Sequence, residues 1–399
     1  MRPPNTCVHH MLGHTGPVGV VRFSEGGTYA FSGGVDKTIK LWNPFRAKLV
    51  YSFADGHNSE VLDVAPNSQN TQFASAGADK QILIWDIQAT RIVRRFKGHN
   101  NRVNCVKYAA DSNVLISGSF DKTVKIWDMR SRSFQPIQTL SDFKDGVSSV
   151  DATNKEILAS STDGTLRTYD ISSGLMHTDT IGEAITSMHV SHDKKLCLIS
   201  CMGHIRGRGF NQRYEGIEKE QQIGGNGEVK LIDRATGKQL NKFQGHKHIE
   251  YHVECCLPPD DAHVICSSED GSIFIWDILT GTLKQQLKGH TSVCTSLSIS
   301  PKSVNIRQNS SGLPEPKIGS NSSIPDKESF VMVSGSADGS VGVWTTAEHA
   351  QILVNDGESA LSSDFDYGYS PIIEDGGRIQ RKSEKSAPFF ETRTRLPFL

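Results

Sequence analysis

Residues Gly98–Asp128 read GHNNRVNCVKYAADSNVLISGSFDKTVKIWD, and this stretch decides the fold. It opens on Gly98-His99, passes Ser117 and Asp121, and closes on Trp127-Asp128. Its last segment, Thr123–Trp127, alternates β-branched and polar residues behind an Asp-Lys turn, the pattern of a short, half-buried strand. Outward from it, the same frame recurs. Gly13-His14 leads to Asp36 and Trp42, and Gly56-His57 to Asp79 and Trp85. Gly245-His246 leads to Asp270 and Trp276, and Gly289-His290 to Asp338 and Trp344. Two more units are degenerate: one keeps Asp163 and Tyr169-Asp170, the other only Ile232-Asp233.

The closing positions 42, 85, 127, 169, 232, 276 and 344 are spaced by 43, 42, 42, 63, 44 and 68 residues. A period of roughly 40–45 suits a four-stranded repeat. The two long spacings each contain a segment of different composition. About 204–225 is rich in Gly, Arg, Gln and Glu, and about 302–328 is rich in Ser, Asn and Pro. Removing both restores seven units over residues 1–346. Both insertions are expected to be disordered surface loops. The tail, 347–399, has too few apolar residues for a core, so disorder is expected there as well.

Composition removes several classes. Lys+Arg is 43 against Asp+Glu 44, so no global excess exists to grip a polyphosphate. No apolar run approaches the ~18 residues of a membrane span, and the N-terminus MRPPNTCVHH has no apolar signal core. Eight cysteines lie scattered without CxxC pairs, which points to buried thiols in a reducing compartment. His246-Lys-His248 and Cys255-Cys256 lack partners at metal-ligand spacing, and Gly224-Gly225-Asn226-Gly227 is no phosphate loop. No cofactor, metal or small-molecule substrate is expected. Arg206 and Arg208 in the first insertion read as solvated, so direct RNA binding is not expected either.

These repeats resemble the WD40 family over about residues 10–346. The resemblance implies an all-β, seven-bladed propeller. The segment Val8–Leu12 would form the outer strand of the seventh blade, beside the strand ending at Trp344. It also implies that the recurrent polar residues are buried structural relays, not catalytic sets. Four are complete: His14/Ser32/Asp36/Trp42, His57/Ser75/Asp79/Trp85, His99/Ser117/Asp121/Trp127 and His290/Ser334/Asp338/Trp344. A catalytic triad would occur once, not four times, and no enzyme is expected. Cys266 stands where the sixth unit should carry Ser, and the fourth has Ala159 and Tyr169 with no His.

Within the family, Trp42–Pro44, Arg130–Leu140, Asp145–Val150 and His246–Leu257 resemble the organizers of mitogen-activated protein kinase cascades, a group also found in spliceosomes at the catalytic stage. That resemblance implies a monomeric scaffold within larger complexes of the cytoplasm and nucleus. Its partners would be cascade kinases or spliceosomal proteins. A different role, substrate receptor of a Cullin-type ubiquitin ligase, is suggested by Trp127-Asp128-Met129-Arg130, which fits a WDxR pattern. If one end of the disc binds partners, Glu60, Arg102, Phe120 and Glu269 are the unusual residues there, with Phe120 either an exposed anchor or part of the channel wall. Ser300-Pro301 and Ser370-Pro371 are proline-directed phosphorylation steps, and Arg393–Leu399 has the form of a kinase-docking peptide.

Overall fold

Short β-branched segments bounded by Asp-Lys and Asp-Gly turns cannot bury both faces alone, so they stack as sheets around a common axis. In the computed structural model they form seven four-stranded antiparallel sheets, a seven-bladed β-propeller. The structure describes residues 2–109, 111–153, 155–205, 223–224, 226–301, 304–308, 314–318, 330–346 and 350. The first compact unit spans Met1–Ala360; the second, Leu361–Leu399, lies outside the described residues. The expectations for 206–222, for most of 302–328, for Ser370-Pro371 and for Arg393–Leu399 therefore fall outside as well. What is described of the insertions is paired backbone: His204–Ile205 lies against Ile223–Gly224, and Val304–Gln308 against Pro314–Ile318.

Blades one to six each run from centre to rim in chain order. Blade one is Val18–Phe23, Ala30–Gly34, Ile39–Asn43 and Lys48–Phe53. Its inner strands are buried, whereas Lys48–Phe53 is mostly exposed. The innermost strands of blades two to seven are Val61–Pro66, Val103–Tyr108, Val147–Ala152, Ile185–Val190, Cys255–Cys256 and Cys294–Ile299. Apolar seams fill the spaces between neighbouring blades. Between blades one and two, Phe31, Phe53, Phe73 and Trp85 pack together, the last two stacked at 5.8 Å.

Ring closure uses both ends of the repeat array. Thr6–Leu12 pairs with Ser340–Thr345 from Cys7↔Trp344 to Leu12↔Ser340, completing blade seven as its outer strand. Met11 is buried with Val341 and Val343 in the seam toward blade one.

A second tie crosses the axial channel. Arg22 of blade one reaches Asp63 of blade two at 3.1 Å and Glu254 of blade six at 2.9 Å. Glu254 also accepts from Ser296 Oγ at 2.5 Å and Leu297 N at 3.2 Å, while Asp63 accepts from Val106 N at 2.9 Å. Burial acts to raise the Glu254 carboxyl, yet the Arg22 guanidinium holds it below its ordinary value. At Asp63 burial prevails over Arg22, and the carboxyl sits above its ordinary value.

Candidate interaction site

The relays lie at one end of the disc, where loops entering each blade meet the turn between its second and third strands. The structure brings each of the four complete sets together. In blade one, His14 Nδ1 is 2.8 Å from Asp36 Oδ2 and Nε2 is 2.7 Å from Ser32 Oγ, which accepts the Trp42 indole N–H at 2.7 Å. In blade two, His57 lies 3.1 Å from Asp79 and 2.8 Å from Ser75, and Trp85 donates to Ser75 at 2.8 Å. In blade three, His99 lies 2.9 Å from Asp121 and 2.8 Å from Ser117, and Trp127 donates to Ser117 at 2.9 Å. In blade seven, His290 lies 3.2 Å from Asp338 and 2.6 Å from Ser334, and Trp344 donates to Ser334 at 2.7 Å.

Each relay carboxylate also accepts the backbone N–H that follows the His, as Asp79 does from Asn58 at 3.0 Å, so the loop is tied to the turn. The glycine of Gly-His is required by close approach: a Cβ on Gly56 would lie 2.4 Å from the Trp85 ring. The serine hydroxyl in each set is enclosed between indole and imidazole. Such a group is structural, since a nucleophile needs access to substrate. Ser75→Ala leaves the Trp85 N–H and the His57 Nε2 without their partner and is expected to cost about 2–4 kcal/mol. Urea unfolding reads this directly, and a loss below about 0.5 kcal/mol contradicts it.

The degenerate blades solve the same problem differently. In blade four, Arg167 packs its guanidinium 4.5 Å from the Phe143 ring centroid and reaches Asp163 at 3.3 Å. Tyr169 donates to Asp142 at 3.1 Å. The sequence reading missed Arg167 because it sits two residues before the Tyr, where Lys40 and Lys125 precede Trp in other units. In blade five, Ile199 and Ile232 occupy the Ser and Trp positions and are fully buried, so hydrocarbon replaces the relay.

Blade six breaks the chain of bonds. Neither nitrogen of buried His246 has a hydrogen-bond partner, and Trp276 meets it edge-on at 5.7 Å. Two residues on, His248 is buried between Ser200 and Thr186 of blade five, 3.3 Å from each hydroxyl. Burial lowers His246 to about 4, against the pull of Asp270 and Glu269. Burial lowers His248 as well, and His246 and His252 add to the effect.

Both imidazoles stay neutral in the fold but bind protons near pH 6.5 when unfolded. Their stabilisation is therefore present above about pH 6.5 and lost as pH falls below it, for His246 down to about 4 at up to about 1.4 kcal/mol per pH unit. We expect amide exchange in the Gly245–Val253 link to accelerate between pH 7 and 5 relative to blade two, after correction for intrinsic rates. Uniform behaviour across the two blades contradicts this.

The candidate partner-binding residues divide. Glu269 is turned inward: it is 8% exposed, and its carboxylate accepts the N–H groups of Ile249, Glu250 and Tyr251 at 2.6, 2.5 and 2.8 Å. It folds the Gly245–Val253 link and is not a surface anchor. Phe120 is half-buried against Gly146, and Arg102 stacks on its ring at 4.7 Å, so the pair forms a cationic-aromatic platform. Glu60 is half-buried at the equivalent position of blade two, its carbonyl accepting Ala78 N–H at 3.0 Å as that of Arg102 accepts Phe120 N–H at 3.0 Å. Arg130 projects from the opposite end with its side chain 71% exposed, its Nε resting 3.4 Å from Asp128. Ser300 is fully buried and bonds the Val331 carbonyl through its N–H, so Ser300-Pro301 offers no hydroxyl to a kinase in the folded chain.

Seven blades, four closed relays and closure by the N-terminal strand make one pattern, and comparison with known proteins agrees with it. The WD40 family (WD domain, G-beta repeat) matches residues 5–43, 47–86, 90–128, 134–170 and 237–277. WD repeat domain-containing protein 83 of Rattus norvegicus is 38% identical over 286 residues, covering 72% of this chain and 83% of the relative. Its Dictyostelium discoideum homolog is 32% identical over 327 residues, covering 74% and 92%.

The chain belongs to the WD40 repeat family.

The WD40 assignment carries a role in protein–protein interaction, in a family of propeller scaffolds that is generally non-enzymatic. It also accounts for where the polar residues go. The serines, histidines and aspartates that recur in this WD40 chain are consumed in holding loops to turns, which leaves partner binding to residues outside the relays.

Proposed function

We propose that this WD40 chain is a non-enzymatic scaffold of the cytoplasm and nucleus. It gathers protein components of a mitogen-activated protein kinase cascade, serves as a subunit of the catalytic-stage spliceosome, or does both. The observation that carries the reading is the resemblance of Arg130–Leu140, Asp145–Val150 and His246–Leu257 to the cascade organizers. The geometry supports it: a closed disc with four complete relays satisfied internally leaves separate end and rim surfaces for several partners at once. A formal net charge of -1 favours protein partners over direct RNA grip.

Affinity purification of the full chain from its own cells, with and without RNase, tests it. Cascade kinases or RNase-resistant splicing proteins are the expected prey. Neither class recovered rejects the scaffold reading. The exposure of Arg130 favours a second reading, in which its guanidinium enters an acidic adaptor groove of a Cullin-type ligase. A Cullin adaptor as the leading prey, lost on Arg130→Ala, selects that alternative.

A further inference from the structure

We propose that the relay end of blades three and four docks an acidic segment of a partner protein, held by Arg102, Lys122 and Lys144. The inference rests on the scaffold reading and names the partner of one of its surfaces. One backbone bond recurs at this end of the disc. The residue before the turn aspartate donates its N–H to the carbonyl of the residue before the innermost strand, as Val35 does to Pro17 at 2.9 Å, Ala78 to Glu60 at 3.0 Å and Thr162 to Gly146 at 3.0 Å. In blade three the same bond runs from Phe120 to Arg102 at 3.0 Å. Backbone alone makes the bond, so the fold leaves both side chains open to choice. Of these four blades, blade three is the one that pairs a cation with an aromatic ring.

Contacts join that pair to blade four. The Arg102 guanidinium lies over the Phe120 ring at 4.7 Å. The ring rests against Gly146, where a Cβ would stand 2.9 Å from Phe120 Cδ2, so any side chain there would displace it. Lys122, in the blade-three turn, donates from Nζ to the Lys144 carbonyl at 2.7 Å, and the Lys144 N–H donates to Asp163 Oδ2 at 2.9 Å. Loops of two adjacent blades therefore carry one patch, with Lys122 and Lys144 exposed and Arg102 half-buried.

Charge decides the occupant. The carboxylates of these loops are engaged within the fold. Asp121 meets His99 at 2.9 Å and accepts Asn100 N–H at 2.8 Å, Asp163 holds Arg167 at 3.3 Å, and Asp145 accepts Gly146 N–H at 2.7 Å. Among the described residues, Arg102, Lys122 and Lys144 make no ion pair, and Arg102 Nε is buried without a hydrogen-bond partner.

A guanidinium bonds a carboxylate in a planar, two-point fashion. One already held on a ring gives up little further freedom on doing so. The three cations are single charges on separate loops, and separate Asp or Glu side chains of one extended segment match that spread. Single-stranded nucleic acid is disfavoured, because it is held by successive open aromatic platforms and Phe120 is covered by Arg102.

Selection of phage-displayed random dodecapeptides on the full-length chain tests this, followed by fluorescence anisotropy with an enriched peptide. Peptides with two or more Asp or Glu residues are expected to enrich. The double variant Arg102→Gln/Lys144→Gln should bind about tenfold more weakly, with its melting temperature unchanged. Lys144→Glu alone, at an exposed side chain, reads the same site should the double variant fail to fold. The control Arg46→Gln/Lys48→Gln removes equal charge from exposed positions of blade one and should bind like wild type. Enrichment without acidic bias, equal binding by the Arg102/Lys144 variant, an equal loss in the blade-one control, or tighter capture of an oligouridylate RNA through the same cations overturns the proposal. The two claims separate cleanly. If the wild-type chain recovers no kinase or splicing protein, the scaffold reading fails whatever the peptides do. If it recovers them and the peptide result is negative, only the acidic-partner site fails.

Discussion

Arg22→Met is expected to destabilise the chain by about 3–5 kcal/mol, the cost of leaving buried carboxylates without their cation. Methionine keeps the volume of the arginine stem, so the loss reads the charge and not a cavity. Asp63 and Glu254 would then face one another across the channel with only Ser296 and backbone N–H groups for company. The melting temperature should fall by roughly 4–7 °C on that loss, taking about 2.1 cal/mol/K of unfolding entropy per residue over the ~340 residues of the propeller. Adding Glu254→Gln should recover part of the loss, because one of the two stranded charges is gone. A melting curve within a degree of wild type would show that the cross-channel tie contributes nothing.

Removal of residues 2–12 should have the largest effect. Those residues supply the outer strand of blade seven, paired with Ser340–Thr345 around a bulge between Cys7 and His9, and Met11 fills the seam toward blade one. Without them, Ser340–Thr345 becomes an open edge whose N–H and C=O groups can template pairing with other chains. The truncated chain is expected to elute as soluble aggregates, with proteolysis beginning in blade seven. A synthetic peptide covering residues 5–13, added during refolding, should restore part of the monomer peak. A truncated chain that stays monomeric with an unchanged melting temperature contradicts closure by this strand.

These effects bear on what the residues made legible. Blades one, two, three and seven could be phased because each repeats four chemically distinct residues at fixed offsets. Glycine before the histidine belongs to the same signal, since only its missing Cβ admits the indole ring. Blade five gave no such signal: Ile199 and Ile232 do the packing with hydrocarbon, and buried isoleucine occurs in every strand. Blade four hid its solution in a residue type with many ordinary roles, as Arg167 bonds Asp163 only because the turn and third strand bring them together. Glu269 misled for the opposite reason. It sits beside the relay aspartate, where a surface role is natural, but the Gly245–Val253 link turns three N–H groups onto its carboxylate. The contact of Lys122 with blade four was invisible as well, since it joins residues of different repeats.

In this propeller the recurrent polar residues hold the disc together while residues outside them hold partners. A quantitative affinity purification comparing wild type, Ser75→Ala and the double variant Arg102→Ala/Phe120→Ala, run well below the melting point of each, tests it most directly. The relay variant should recover the wild-type set of partners in wild-type amounts, despite its lower stability, and the surface variant should lose a defined subset with its stability intact. If Ser75→Ala loses partners while still folded, and the Arg102/Phe120 variant loses none, the division of labour between relay and surface is wrong.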